Sequence, residues 1–257
     1  MPKKVKKSKT KTQKSKKIEK TKPKKAKIKK VSKKIKKVER AKKYNVKIIK
    51  EKLIPFEPII TKIEDQYMVA VTSPPGQPAD TLPKVLPALY GTMMGIKMSY
   101  PKSQRSGFGG FEIYSRWPNA HLVPKDEWVA ELALKVDKTA EEFFNTHKDV
   151  REKILKKRKE NAPGVEVRFE KWNYGMVGII LHIGSFSEEG PTVKKLHDHI
   201  VNSGYVFNGV HEEVYLSDPR RTKEESLKTV ILYPVRKGSD EEVAKFKKEL
   251  EEHQIIF

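Results

Sequence analysis

The chain contains no cysteine, which excludes disulfides, thiolate metal sites and a cysteine nucleophile together. It also lacks any apolar run near the ~18 residues a membrane span needs, and the short apolar core of a secretory leader is missing from its N-terminus. The expected setting is cytoplasmic. Aromatic residues are absent from the first 43 positions, so no ring is available there to stack on bases or to seed a core.

What those first positions do hold is charge. The chain carries a net +22, and Met1 to Lys43 accounts for nearly all of it, with 22 lysines and Arg40 against Glu19 and Glu39. That is a net +21, which leaves 32 of the 55 basic and 31 of the 33 acidic side chains for the remaining 214 residues. The high isoelectric point therefore describes a tail. With only scattered Val, Ile and Ala, this segment cannot bury enough apolar surface to offset its ordering entropy, and it is expected to be disordered. Lys3, Lys4, Lys16, Lys17, Lys24, Lys25, Lys29, Lys30, Lys33, Lys34, Lys36 and Lys37 make it a polycation suited to the phosphates of DNA or RNA, without base readout. That role implies association with the nucleoid; the bland alternative is a solvated, solubilising arm.

Tyr44 to Ile63 reads as a joining segment, and Glu64 to Phe257 as the folded domain. "DQYMVAVTS" has the composition of a strand, and "PPGQP" that of a tight turn. A helix follows, with Leu82, Val85, Leu86, Leu89 and Met93 at helical spacing. "GFEIYSRW" and Glu127 to Val136 read as strands. A connecting helix is predicted over 139–160, opening on a Thr139/Glu142 capping box and carrying Phe143, His147, Val150 and Ile154 on one stripe. The same order then returns: strand "MVGIILHIG", a helix from Gly190 with Val193, Leu196 and Ile200 on one side, strand "HEEVYLSD" and strand "LKTVILYPV". A C-terminal helix is predicted over 239–252, capped by Ser239 and Glu242.

The halves, about 64–137 and 165–236, thus align as two β-α-β-β units. "MVAV" stands with "MVGI", "FEIYSRWP" with "EEVYLSDP", and "EWVAELALKV" with "LKTVILYPV". In a strand, alternate side chains share a face. Glu213, Tyr215 and Ser217 go together, as do Glu112, Tyr114 and Arg116, while Val214, Leu216, Phe111 and Ile113 point the other way. If the apolar sides pack on the helices, two Glu-x-Tyr pairs face a common cleft. The plainer alternative is the solvated side of an antiparallel sheet.

"ILHIGSFSEEGPTVKKLHDHIVNSGY", "HEEVYLSDPRR" and "LKTVILYPV" resemble the GyrI-like small-molecule-binding domain, which also serves as the effector domain of multidrug-sensing regulators. "PPGQP" and "LYGTMMGIKMSYPK" resemble it in the first half, so the likeness spans Tyr67 to Arg236. It implies an α+β fold: a tandem β-α-β-β repeat with pseudo-twofold symmetry, an antiparallel concave sheet, helices on its outer face, and a ligand cleft on the concave side. It implies capture of hydrophobic or cationic molecules by Glu213, Tyr215, Glu112, Tyr114 and Trp117. Two alternatives come with it: a hydrolase opening cyclopropane-bearing electrophiles with Glu213 or Glu112 as base, and a gyrase-inhibitor-like or nucleic-acid-binding module. Where an aromatic partner is expected after Glu112, this chain has Ser115 and Arg116.

No cofactor or metal site is expected. His197 and His199 of "HDH" lie two apart on a helix and do not share a face with one another, and His182 stands outside that helix. His211 reads as a structural hydrogen-bonder or a site residue, Trp128 and Trp172 as core or rim aromatics, "GFGGF" as a rim loop and "DPRR" as a turn. No helix-turn-helix pattern is present.

Overall fold

A computed structural model describes residues 56–107, 112–120, 122–136, 142 and 145–253. The Lys-rich tail, most of the joining segment, Thr139, Phe143 and most of "GFGGF" lie outside them, and so do the readings made on those residues.

Among the described residues nine strands form one curled antiparallel sheet, a half-barrel, with four helices outside it. The strands are β1 (Ile59–Ile63), β2 (Gln66–Thr72), β3 (Ile113–Trp117), β4 (Glu131–Val136), β5 (Arg168–Trp172), β6 (Gly175–Ile183), β7 (Tyr205–Phe207), β8 (His211–Tyr215) and β9 (Lys228–Lys237). The helices are α1 (Pro78–Ser99), α2 (Lys148–Asn161), α3 (Gly190–Asn202) and α4 (Asp240–His253). None of the described helices is long and apolar enough to cross a membrane. The path across the sheet is β1-β6-β9-β8-β3-β4-β2-β5, with β7 on β9.

That order contains the expected repeat. The first unit is β2-α1-β3-β4 and the second is β6-α3-β8-β9, and the two meet where β3 pairs with β8. It also contains an exchange that the sequence pattern did not reveal. β1 precedes β2 by two residues yet pairs with β6, while β5 precedes β6 by two residues yet pairs with β2. Each unit therefore lends its leading strand to the other. The two short links touch: Lys171 forms an ion pair with Asp65 at 2.8 Å, and the Tyr174 amide donates to the same carboxylate.

Three clusters bury the apolar surface. Met68, Ala70, Tyr114, Trp172, Ile179, Val214 and Leu232 fill the inner, helix-free face. On the outer face, α1 sets Val85, Leu89, Met93 and Ile96 against Val69, Leu132 and Leu134. There α3 sets Val193, Leu196 and Ile200 against Ile180, Ile231 and Tyr233. Burying a Leu or Ile side chain contributes ~1.5–3 kcal/mol, which is how α1 tolerates Pro83 and Pro87 in its interior. Gly178 lets α3 sit close to the sheet, since a Cβ there would lie 2.6 Å from Cδ1 of Ile200.

Helix α2, with His147 as its N-cap, covers the later part of the predicted connecting helix, whose predicted start at 139 lies outside the described residues. The C-terminal capping box is present as expected: Ser239 Oγ accepts from the Glu242 amide, and Glu242 accepts from the Ser239 amide. Strands β1, β5 and β7, which the sequence pattern did not single out, are short; β1 lies inside the stretch read as a joining segment.

Candidate functional site

The seam between the repeats decides which side chains can meet. Across the β3–β8 ladder Ile113 faces Tyr215, Tyr114 faces Val214, Ser115 faces Glu213 and Arg116 faces Glu212. Residues directly opposite one another share a face. Tyr114 and Val214 belong to the inner cluster and Ile113 to the outer one, so Glu213 and Tyr215 point outward while Tyr114 and Arg116 point inward. The expected common cleft of two Glu-x-Tyr pairs does not form. In this ladder Ser115, not Tyr114, stands opposite Glu213, so the two motifs meet one residue out of step and their tyrosines fall on opposite faces.

The outward side of the seam gathers a polar cluster between the helices. Glu213 is only 6% exposed. Nε2–H of His211 donates to Oε1 of Glu213 at 2.8 Å, and Nδ1 of the same ring lies 2.8 Å from the hydroxyl of Tyr233. The Tyr215 hydroxyl and Ser115 lie beside Glu213. Glu189, the residue before α3, brings a second buried carboxyl to Glu213 beside Thr229. At the outer edge Phe186 meets Tyr215 edge to face, with centroids 5.5 Å apart.

The two carboxyls respond oppositely to this environment. Burial lifts Glu189, and the neighbouring Glu213 lifts it further, to about 9. Burial also pushes Glu213 upward, but hydrogen bonds from His211, Tyr215 and Glu189 outweigh it and hold its carboxyl below the usual range. At neutral pH the proton shared by the pair sits on Glu189 and the charge on Glu213. The Tyr215 phenol is driven up by burial and by that charge.

The sequence reading had Glu213, Tyr215 and, as an undecided case, His211. It missed Glu189 and Ser115. In "SFSEEGP" the acids look like the ordinary entry to a helix, and nothing in the pattern says that Glu189 turns inward. Trp117 lies outward too, but in the core under α1, 5.5 Å from Trp128. Glu112 stands half-buried just before β3, near enough to Tyr114 that its charge, after burial, raises the phenol.

The inward side has its own cluster. Glu212 has no exposed surface, takes an ion pair from Nε of Arg116 at 2.8 Å, and accepts a hydrogen bond from the Tyr174 hydroxyl. The Arg116 guanidinium lies 3.7 Å from the centroid of Trp172. Burial pushes the Glu212 carboxyl up and Arg116 draws it part of the way back. Separately, a cleft of about 270 Å³ opens at the β2–β5 edge between Tyr67, Phe169, Arg151 and Lys171.

The model of the GyrI-like small molecule binding domain matches residues 56–236, and the chain belongs to that family. A hydrolase from Listeria innocua superposes with a TM-score of 0.57 at 22% identity, covering 71% of this chain and 93% of that one. An uncharacterized conserved protein from the same organism gives 0.58 at 23%, covering 71% and 94%. At such identities the likeness speaks for the fold alone. No curated protein matches the chain.

The carboxyl pair generates a pH prediction. The folded-state pKa of Glu189, about 9, lies above its ordinary 4.5. Its contribution to stability is therefore full below 4.5 and is lost as pH rises through about 9. Buried His197 acts at the other end: desolvation depresses its pKa from 6.5 to about 3, so its contribution is lost as pH falls below 6.5. Urea midpoints across this range are expected to decline on both sides, and Glu189→Gln is expected to flatten the alkaline decline alone. An unchanged alkaline limb would show that Glu189 is not the proton carrier.

Proposed function

We propose that the chain captures hydrophobic or cationic small molecules at the outward side of the seam. Glu213 supplies the negative charge there, and Tyr215 with Phe186 supplies the aromatic walls. The observation that carries this reading is a buried carboxylate, 2.8 Å from Nε2 of His211, next to a ring pair whose outer member, Phe186, is 44% exposed. Such a charge is screened far less than one in water, and ring faces add their own attraction for a cation. Glu213→Gln is expected to weaken the affinity for lipophilic cations by about tenfold or more, since a hydrogen-bonded charge contributes ~1.5–3 kcal/mol. Isothermal titration across a panel of such cations measures this, and equal affinities would rule the assignment out.

A second reading is favoured by the split protonation of the pair. A protonated Glu189 beside an ionised Glu213 is the arrangement that acid–base hydrolysis uses. Glu213 would take a proton from the water that attacks one carbon of a cyclopropane, while Glu189 protonates the carbon that receives the electrons of the broken C–C bond. Loss of chromophore from a cyclopropane-bearing alkylator is then expected to slow by about 10²-fold in a Glu189→Gln/Glu213→Gln protein. A rate equal to that of the unmodified chain would sink the hydrolytic reading and leave binding standing.

To the Lys-rich tail we assign sequence-independent contact with nucleic acid, on the strength of the charge partition. Removing residues 1–43 is expected to abolish retention on DNA and its steep salt dependence while leaving ligand affinity intact. Retention that survives the truncation would move the contact to the folded domain.

A further inference from the structure

The cleft at the β2–β5 edge lies three strands from β3, ~14 Å at sheet spacing, and takes no part in the outward site at the seam. We propose that it is a second binding site, and that it receives aromatic monocarboxylates.

Its walls are apolar and its rim is cationic. Tyr67, Val136 and Phe169 belong to the outer packing cluster, and all three line the cleft. Lys171 stands opposite Tyr67 in the β2–β5 ladder and so shares that face. Its Nζ lies 5.9 Å from the Tyr67 centroid, and the Arg151 guanidinium carbon lies 4.9 Å from the Phe169 centroid. Asn145 and Arg151 come from either side of His147, the N-cap of α2, so the positive end of that helix adds to the same field. The volume, about 270 Å³, is close to that of the smallest ligand pockets, ~300 Å³, and limits an occupant to about one or two rings.

The uncommitted charge sets the valence of that occupant. Lys171 is engaged by Asp65 at 2.8 Å. Glu170 is engaged by Arg168 at 3.2 Å and by the Trp172 indole N–H at 2.7 Å. The Arg151 guanidinium, by contrast, has no ion-pair or hydrogen-bond partner among the described residues. Half-buried and laid against a ring, it offers a single net positive charge in the planar fork that matches a carboxylate. A dianion would meet the Glu170 carboxylate with no second uncommitted cation to balance it, and a cationic ligand would be repelled by Arg151. An aromatic acid satisfies both halves of the cleft: its ring lies against Tyr67 and Phe169 while its carboxylate accepts from Arg151.

The test titrates 2-naphthoate, 2-naphthalenemethanol and acetate into the full chain by calorimetry at matched ionic strength, and repeats the series with Arg151→Gln and Arg151→Lys. The acid is expected to bind the unmodified chain about tenfold tighter or better than the alcohol, which has the rings without the charge. It is expected to exceed acetate by a similar factor, and acetate reports any contact with the Lys-rich tail. Arg151→Gln is expected to lose about tenfold for 2-naphthoate and nothing for the alcohol. Arg151→Lys, which keeps the charge but not the fork, is expected to recover part of that loss. An acid that binds no tighter than the alcohol or acetate overturns the proposal, and that comparison needs no variant to fold. Equal 2-naphthoate affinities for the unmodified chain and Arg151→Gln overturn it as well.

Discussion

The β3–β8 ladder is the constraint on which the rest of the molecule depends. It is the join between two repeats, and its register sends adjacent residues of one strand to opposite sides of the sheet. Glu212 and Glu213 are neighbours in the chain, both buried, yet they share no hydrogen-bonding partner. A buried carboxylate that lacks a partner costs several kcal/mol, so each face had to assemble its own answer. Outward, that answer is an imidazole, a phenol and a second carboxyl; inward, it is a guanidinium, a phenol and an indole. Moving the register by one residue would exchange the two glutamates and leave both without partners, so the polar groups specify the pairing as firmly as the apolar ones.

Much of this was legible in the sequence. The order of elements, the duplication and the two main packing helices follow from periodicity and turn residues, because those signals are local. Val193, Leu196 and Ile200 at helical spacing, or the alternation in "HEEVYLSD", need nothing beyond their own segment. The charge partition was equally direct. Parity along β8 holds as well: Val214 and Leu216 lie on the side opposite Glu213.

What failed was the step from parity to direction. An apolar face was assigned to the helices, but this sheet buries both faces, one under helices and the other inside its own curl. Val214 is as buried as any helix-facing residue. The likeness of the two Glu-x-Tyr motifs carries no information on the register in which β3 and β8 pair, and that register sets the two tyrosines on opposite faces. Glu189 was missed for a different reason, since its role comes from the tertiary approach of the α3 entry to β8, a contact with no local signature. Arg116 was noticed only as a departure from an expected aromatic. Its stacking on Trp172 joins β3 to β5, strands that are neither consecutive nor paired.

The exchange of leading strands gives the fold a temporal dimension. β1 emerges from the ribosome more than 110 residues ahead of the start of its partner β6, and β2 about 100 ahead of β5. At ~5–20 residues per second, the first repeat waits several seconds with the β2 edge uncovered and its leading strand unattached. Neither repeat can complete its sheet alone, which makes the pair a single cooperative unit despite the duplication. The period of greatest exposure to aggregation thus falls during synthesis, before the second repeat has arrived to close the first.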